Sequence, residues 1–220
     1  MFIITHPNVY NKLQAELDRA ALSEPIIRES EARALPYLQA CIKEGLRVFP
    51  PVTALATKTV PESGDRLRGQ FIPGGTNIVY SAWDFYKNHE VFGEDAEVFR
   101  PERWLEATGD RLSRMQQTLD LVFGYGKYGC LGKPVALLEI NKFIAEVRVR
   151  STLLDRPSLC TLIRRLWKVF RRYDIALINP TNPWKSYNRN GFFFQSEMWV
   201  RMSEREPREQ HGGRAAAQQR

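Results

Sequence analysis

Cys130 lies in a glycine-rich loop, residues 123–132, with the sequence FGYGKYGCLG. A helix is predicted to begin directly after this loop, and the dipole and free N–H groups at its N-terminus would favour a thiolate. A thiolate held in this way is a good soft metal ligand. The glycines on both sides would let the backbone approach a large, flat group. The alternative for a single loop cysteine is a small buried apolar side chain.

The same loop contains a G-x-G-x-x-G pattern at Gly124, Gly126 and Gly129, after an apparent strand at residues 119–123. This spacing is typical of a dinucleotide- or phosphate-binding loop. A dinucleotide-binding unit also needs a second parallel strand that ends in an acidic residue about 20 positions later. A predicted helix and a basic segment occupy that span. A nucleotide-binding module is therefore an alternative that the sequence disfavours.

Glu44 and Arg47 form an i,i+3 pair on a predicted helix. Such a pair is usually a solvated ion pair that adds little stability. Here the pair lies beside an apolar stripe and shortly before Pro50 and Pro51, so burial is expected. A buried guanidinium needs further partners, and Arg103, in the sequence FRPERW, offers an additional charge. The residues alone leave two alternatives open, a solvated pair and a partly buried group of Glu44, Arg47 and Arg103.

Apolar periodicity and turn residues predict the elements that position these groups. Helices are predicted at residues 6–21, 35–48 and 134–147. A strand is predicted at residues 52–60, a hairpin from residues 70–72 and 76–81, and a late strand pair from residues 173–179 and 191–202. Residues 83–115 mix polar and aromatic side chains with loop punctuation and predict no long element.

Three motifs together resemble the cytochrome P450 family. The pair Glu44 and Arg47 matches its E-x-x-R motif, residues 99–104 match F-x-P-E-R-[WF], and residues 123–132 match its haem-binding signature. The amino-acid sequence of the loop and that of residues 182–185 (NPWK) are most similar to those of filamentous-fungal members of the pisatin-demethylase type. The resemblance implies a mainly α fold with a smaller β portion, corresponding to the C-terminal half of the P450 fold with the N-terminal half absent.

The resemblance also assigns cofactor residues. Cys130 would be the thiolate ligand of haem (iron protoporphyrin IX) and the only metal ligand, and Phe123 would pack near the proximal haem face. Gly124 and Gly132 belong to the same haem-binding loop, and Lys58 would pair with a haem propionate. Tyr128 stands where the family usually has Arg, so a propionate contact would fall to its phenol or to Lys127. The implied Glu44, Arg47 and Arg103 triad is structural, and no catalytic residue is assigned.

The implied function is that of a haem-thiolate monooxygenase fragment. A full-length relative would oxidise a small organic substrate with O₂ and electrons from NADPH–cytochrome P450 reductase, at the endoplasmic reticulum membrane. This chain lacks the membrane anchor and the distal haem wall, so a cytoplasmic or unknown location is expected. Autonomous turnover is not expected. The principal alternative is a catalytically inactive P450 remnant that binds no haem.

Composition and charge exclude several other classes. The chain has 220 residues and a net charge of +7, and residues 148–172 account for all of it, with eight basic residues and one acid. We predict that residues 1–202 form a partial P450 domain, that residues 148–168 are an insertion or retained intron, and that residues 203–220 are a disordered polar tail. Three scattered cysteines argue against a disulfide framework and a zinc site. No nucleic-acid motif or transmembrane segment is present, although the basic segment leaves polyanion or membrane-surface association as a further alternative.

Overall fold

Helices dominate the first part of the chain in the computed structural model, which describes residues 2–23, 27–53, 57–145, 173–189 and 192–204. The first four helices are α1 (Phe2–Thr5), α2 (Pro7–Arg19), α3 (Glu29–Arg33) and α4 (Pro36–Val48). The predicted helices at residues 6–21 and 35–48 are confirmed as α2 and α4. Each begins with a proline in its first turn, where the missing N–H has no helical partner to lose.

A carboxylate from α2 fixes the start of α4. Glu16 accepts hydrogen bonds from the backbone N–H groups of Tyr37 and Leu38, both at 2.8 Å. These N–H groups lie in the first turn of α4 and have no partner within the helix. Because α4 carries Glu44 and Arg47, this contact also orients the helix that presents the predicted charged group.

Four short strands follow: β1 (Lys58–Thr59), β2 (Asp65–Leu67), β3 (Gln70–Ile72) and β4 (Asn77–Ile78). The predicted hairpin between residues 70–72 and 76–81 is wrong, because β3 pairs with β2 and β4 pairs with β1. Arg68 and Gly69, both with positive φ, form the two-residue turn that favours the β2–β3 hairpin. Of the strand predicted at residues 52–60, the described part contains only β1.

Residues 81–120 are more helical than predicted. They form α5 (Ala82–Tyr86), α6 (His89–Phe92), α7 (Arg103–Glu106) and α8 (Gly109–Asp120). Side chains cap the first two, since the Ser81 hydroxyl and the Asn88 side-chain oxygen accept backbone N–H groups. The strand predicted at residues 119–123 is wrong: this stretch is the end of α8 and a 3₁₀ turn, Leu121–Phe123.

The last described elements are α9 (Lys133–Ala145) and four strands, β5 (Tyr173–Leu177), β6 (Lys185–Arg189), β7 (Phe192–Ser196) and β8 (Val200–Glu204). In the predicted late strand pair, β5 does pair with β8, but residues 191–202 also contain β7, which pairs with β6. The predicted insertion at residues 148–168 lies outside the described residues. The predicted tail begins in β8, and its remainder also lies outside the described residues.

The core consists of two apolar clusters that meet at α4. One contains buried side chains of α2, α4 and the end of α9, and the other contains side chains of α4, α6, α7 and α8. The described elements are mainly helical with a smaller β portion, as predicted. Within the described ranges, no helix is long and apolar enough to cross a membrane.

Candidate functional site

The structure brings Glu44, Arg47 and Arg103 together in a fully buried cluster, with at most 1% of each residue exposed. Arg47 donates from Nε and Nη2 to the two carboxylate oxygens of Glu44, at 3.0 and 2.7 Å. Arg103 Nε donates to Glu44 Oε1 at 2.9 Å. One carboxylate therefore neutralises part of the charge of two guanidinium groups that water does not reach.

Two further donors complete the shell of the Glu44 carboxylate. The Trp104 indole donates to Oε2 at 2.8 Å, and the backbone N–H of Arg100 donates to Oε1 at 2.9 Å. Sequence analysis missed both contacts, although Trp104 directly follows Arg103 in the FRPERW segment. The Glu44 carboxylate thus accepts five hydrogen bonds, which is the saturation that a buried charge requires.

The outer nitrogens of the two arginines bind the segment that precedes FRPERW. Arg47 donates to the carbonyl oxygens of residues 86, 96 and 98 at 2.6–3.1 Å. Arg103 donates to the carbonyl oxygens of residues 92, 95 and 98 at 2.6–3.0 Å. The cluster therefore fixes an irregular backbone segment against α4. This is a structural arrangement, since none of its polar atoms is open to a substrate.

Asp95 joins the cluster at its solvent-facing edge. Its carboxylate accepts hydrogen bonds from Arg103 at 2.8 Å and from Arg100 at 2.5 Å. Burial acts to raise the pKa of Asp95, but the hydrogen bonds from both arginines outweigh it and hold the pKa at about 2. Asp95 is therefore ionised throughout the neutral range.

The loop around Cys130 is closed by its own backbone. The N–H of Cys130 donates to the carbonyl of Phe123 at 2.6 Å. Gly124 has φ +77°, and a Cβ added there would lie 2.5 Å from the Tyr128 carbonyl oxygen, so a side chain cannot fit. Gly126 also has positive φ. These glycines are required by the loop conformation itself.

Cys130 is exposed, which makes the alternative of a small buried apolar side chain wrong. It lies just before α9, whose apolar side chains Val135 and Leu138 are 60% and 41% exposed. Leu131 is 99% exposed. In contrast, Cys41 is buried in the core, and burial raises the pKa of its thiol. The loop therefore presents one accessible thiol next to an apolar surface.

The other predicted loop residues lie close to this thiol in the chain. Phe123 is partly buried, and the Lys133 ammonium lies 5.5 Å from its ring centroid. Lys58, from β1, contacts Tyr128: its Nζ is 3.3 Å from the ring centroid. The structure thus brings Lys58 next to the loop, although the two are far apart in sequence. A Cβ at Gly132 would lie 3.7 Å from Cys130 Sγ.

Comparison with family models identifies the family of this chain. The family model described as Cytochrome P450 matches residues 1–148. The chain belongs to the cytochrome P450 family. Its cysteine loop and its Glu44 cluster both lie inside the matched P450 region. The nucleotide-binding alternative is not favoured, because a helix and not a strand precedes the glycine-rich loop.

Several curated fungal P450 proteins are similar to this chain. It is 37% identical over 208 residues to cytochrome P450 monooxygenase aba1 of Botryotinia fuckeliana, covering 93% of this chain and 36% of that protein. It is 39% identical over 203 residues to ABA1 of Pyricularia oryzae, covering 90% and 35%. It is 40% identical over 146 residues to pisatin demethylase of Fusarium vanettenii, covering 66% and 28%. The chain spans about a third of the length of these P450 relatives.

Members of the cytochrome P450 family carry haem, and the residues of the cysteine loop fit such a group. An accessible thiol and exposed apolar side chains at Leu131, Val135 and Leu138 are the features that a flat, largely apolar group with a thiolate-bound metal requires. Among the described residues, no group of three or more His, Cys, Asp or Glu side chains could hold a metal ion.

Proposed function

We propose that this chain forms the proximal part of a haem-thiolate monooxygenase site in which Cys130 is the axial ligand of the haem iron. The exposed Cys130 thiol in a closed glycine loop before α9 is the observation that carries the proposal. Haem bound there would supply the oxidation of an organic substrate by O₂. The P450 relatives, which are named monooxygenases, support the same reaction class.

The residues of the chain would hold this group in place. The Cys130 backbone N–H donates to the Phe123 carbonyl, so the main chain that carries the thiol is fixed within the loop. Lys133, at the start of α9, pairs with Asp120 at the end of α8 at 3.0 Å, and this contact connects the elements on either side of the loop. Phe123 would pack near the proximal haem face, and Gly132 would leave space beside the sulfur.

The buried Glu44 cluster would support the site from behind. Glu44, Arg47 and Arg103 hold residues 86–100 against α4, and their charges are satisfied internally. Their proposed role is therefore to maintain the fold that carries the haem loop. Lys58 and Tyr128 would lie at the polar edge of the haem, where its carboxylates are found.

The whole protein to which this arrangement corresponds would need further parts. We propose that the described elements correspond to the C-terminal half of the P450 fold, because they carry the E-x-x-R, F-x-P-E-R-[WF] and cysteine-loop motifs. NADPH–cytochrome P450 reductase would supply electrons to a full-length relative at the endoplasmic reticulum membrane. We also propose that residues 148–168 are an insertion or a retained intron, because they carry most of the basic excess of the chain. Sequencing of the mature transcript tests it, because a constant presence of the segment would contradict a retained intron.

Haem titration of the full chain tests the proposed function. Wild-type protein, Cys130→Ala and the control Cys41→Ala are titrated with haem and followed by Soret absorbance. The wild type and Cys41→Ala should bind one haem per chain, and Cys130→Ala should lose at least tenfold in affinity, because it has no thiolate to ligate the iron. Absence of haem uptake by the wild type, or equal affinity of all three, would show an inactive remnant without a haem-thiolate site.

A further inference from the structure

Two lysines surround one aromatic ring in the loop that carries Cys130. The Lys58 ammonium lies 3.3 Å from the Tyr128 ring centroid, and the Lys127 ammonium lies 5.0 Å from the same centroid. The closer ammonium belongs to β1 and the ring belongs to the loop, so the contact joins two parts of the fold. At 3.3 Å the ammonium is in direct contact with the ring face, which carries the negative part of the aromatic quadrupole.

The charge of Lys58 has no acidic partner in the part of the chain that the structure describes. Three other lysines do have one: Lys12 pairs with Glu102 at 2.6 Å, Lys133 with Asp120 at 3.0 Å and Lys185 with Glu197 at 2.7 Å. An ammonium has three N–H donors, and a ring face satisfies only one side of it. Lys58 is therefore held in place by an aromatic ring while its remaining donors are available to an anion.

The hydroxyl of Tyr128 takes no part in this contact. Within the described ranges it forms no hydrogen bond, and 58% of the residue is exposed. The ring and the hydroxyl thus have separable roles, which a Phe substitution distinguishes from a Leu substitution.

We propose that Tyr128 is a positioning residue that acts through its ring face, and that it holds the Lys58 ammonium where this group binds a carboxylate of haem. The inference rests on the proposed function, because it requires haem at Cys130. It explains how a neutral phenol stands where an arginine would bind the carboxylate directly. Here the charge comes from Lys58 of strand β1, and Tyr128 of the loop supplies only the ring face that the ammonium contacts.

The contact itself is tested without haem. Ring-current effects shift protons above an aromatic face upfield, so the ε-methylene protons of Lys58 in isotope-labelled protein should be shifted upfield of those of the other lysines. The shift should persist in Tyr128→Phe and disappear in Tyr128→Leu. An unshifted Lys58 signal, or a shift that survives Tyr128→Leu, would overturn the proposal.

The role in haem binding is tested by titration with iron protoporphyrin IX and with its dimethyl ester, which lacks the two carboxylates. Lys58→Met and Tyr128→Leu should each weaken binding of the free acid roughly two- to fivefold. The double variant should be no weaker than Lys58→Met, because both substitutions remove the same interaction. Tyr128→Phe and the control Lys185→Met should match the wild type. The dimethyl ester should bind equally to all variants.

The outcomes separate this inference from the proposed function. If haem binds normally but Tyr128→Phe is as weak as Tyr128→Leu, the hydroxyl contacts the carboxylate and the positioning role is wrong. If Lys127→Met and not Lys58→Met weakens binding, the wrong ammonium has been assigned. If the wild type takes up neither form of haem, both the inference and the proposed function fail.

Discussion

Replacing Glu44 by Gln tests the buried cluster at its centre. Glu44 is completely buried, and its two oxygens accept five hydrogen bonds. A glutamine keeps the shape but has one oxygen instead of two and carries no charge. Whichever way its amide is oriented, the NH₂ group faces at least two N–H donors, and two buried guanidinium groups lose their shared anion.

The magnitude follows from the burial of the charges. Removing one partner from a buried ion pair costs about 3–5 kcal/mol, a large part of the roughly 5–15 kcal/mol that stabilises a typical domain. With a urea m-value of about 2 kcal/mol/M for a chain of this size, the unfolding midpoint of Glu44→Gln should fall by about 1.5–2.5 M. The control is Glu29→Gln, which removes an exposed i,i+4 pair with Arg33. Its expected cost is about 0.3–0.5 kcal/mol.

Urea unfolding of the full chain, followed by far-ultraviolet circular dichroism, measures both variants. Far-ultraviolet detection is preferred because the Trp104 indole donates to Glu44, so the substitution would also alter tryptophan fluorescence in the folded state. The reasoning is refuted if Glu44→Gln and Glu29→Gln lower the midpoint by the same amount. In that case the cluster would not contribute the stability that its burial indicates.

Three further predictions concern the edge of this cluster and the cysteine loop. Burial acts to raise the pKa of Asp95, but two arginines hold it at about 2. The ionised Asp95 therefore contributes fully to the stability of the fold above pH ~4, and this contribution is lost as the pH falls towards 2. Asp95→Asn should flatten that part of a plot of urea midpoint against pH, and an unchanged slope would argue against the pairing of Asp95 with the arginines. Gly124→Ala should reduce haem affinity at least tenfold, since its Cβ would lie 2.5 Å from a backbone oxygen, whereas Gly45→Ala meets no atom within 4 Å and should bind haem normally. In a haem-free native chain that carries Cys160→Ser, adding Cys130→Ala should abolish a fast phase of reaction with a disulfide reagent, while the buried Cys41 should react only after unfolding. A fast phase that persists in this double variant would contradict the exposure of the Cys130 thiol.

The long helices could be predicted from sequence because their apolar side chains recur with helical spacing. In α2 the residues Val9, Leu13 and Leu17 are all buried. Three of the four helices between residues 82 and 120 escape prediction for a different reason. Two are only four residues long and one has five, and such lengths give no periodic pattern. Side-chain caps define α5 and α6, whereas α7 is held by its packing against α4.

The strand pairing at residues 65–78 shows a competition that local sequence could not decide. Two glycine-containing turns were available, one at Arg68 and Gly69 and one at Gly74 and Gly75. The first closes the β2–β3 hairpin. The second instead directs the chain back to Val60, which exchanges backbone hydrogen bonds with residues 75 and 76. This choice depends on a strand distant in sequence.

The candidate site, like the fold, could be predicted only in part from the sequence. The motifs of the family resemblance predicted the Glu44, Arg47 and Arg103 cluster. They did not predict the contribution of Asp95, which depends on the path of the intervening backbone. Lys58 and Tyr128 were each singled out by family resemblance, but only the three-dimensional structure shows that the ammonium rests on the ring.

The central claim is that the Cys130 thiolate ligates haem iron, and the absorption spectrum of the reconstituted chain tests it most directly. Wild-type protein and Cys130→Ala are loaded with haem, reduced and exposed to carbon monoxide. The proposed function predicts a red-shifted, thiolate-type Soret band for the wild type that is lost in Cys130→Ala. The same spectrum from both proteins, or no haem spectrum from the wild type, would contradict it.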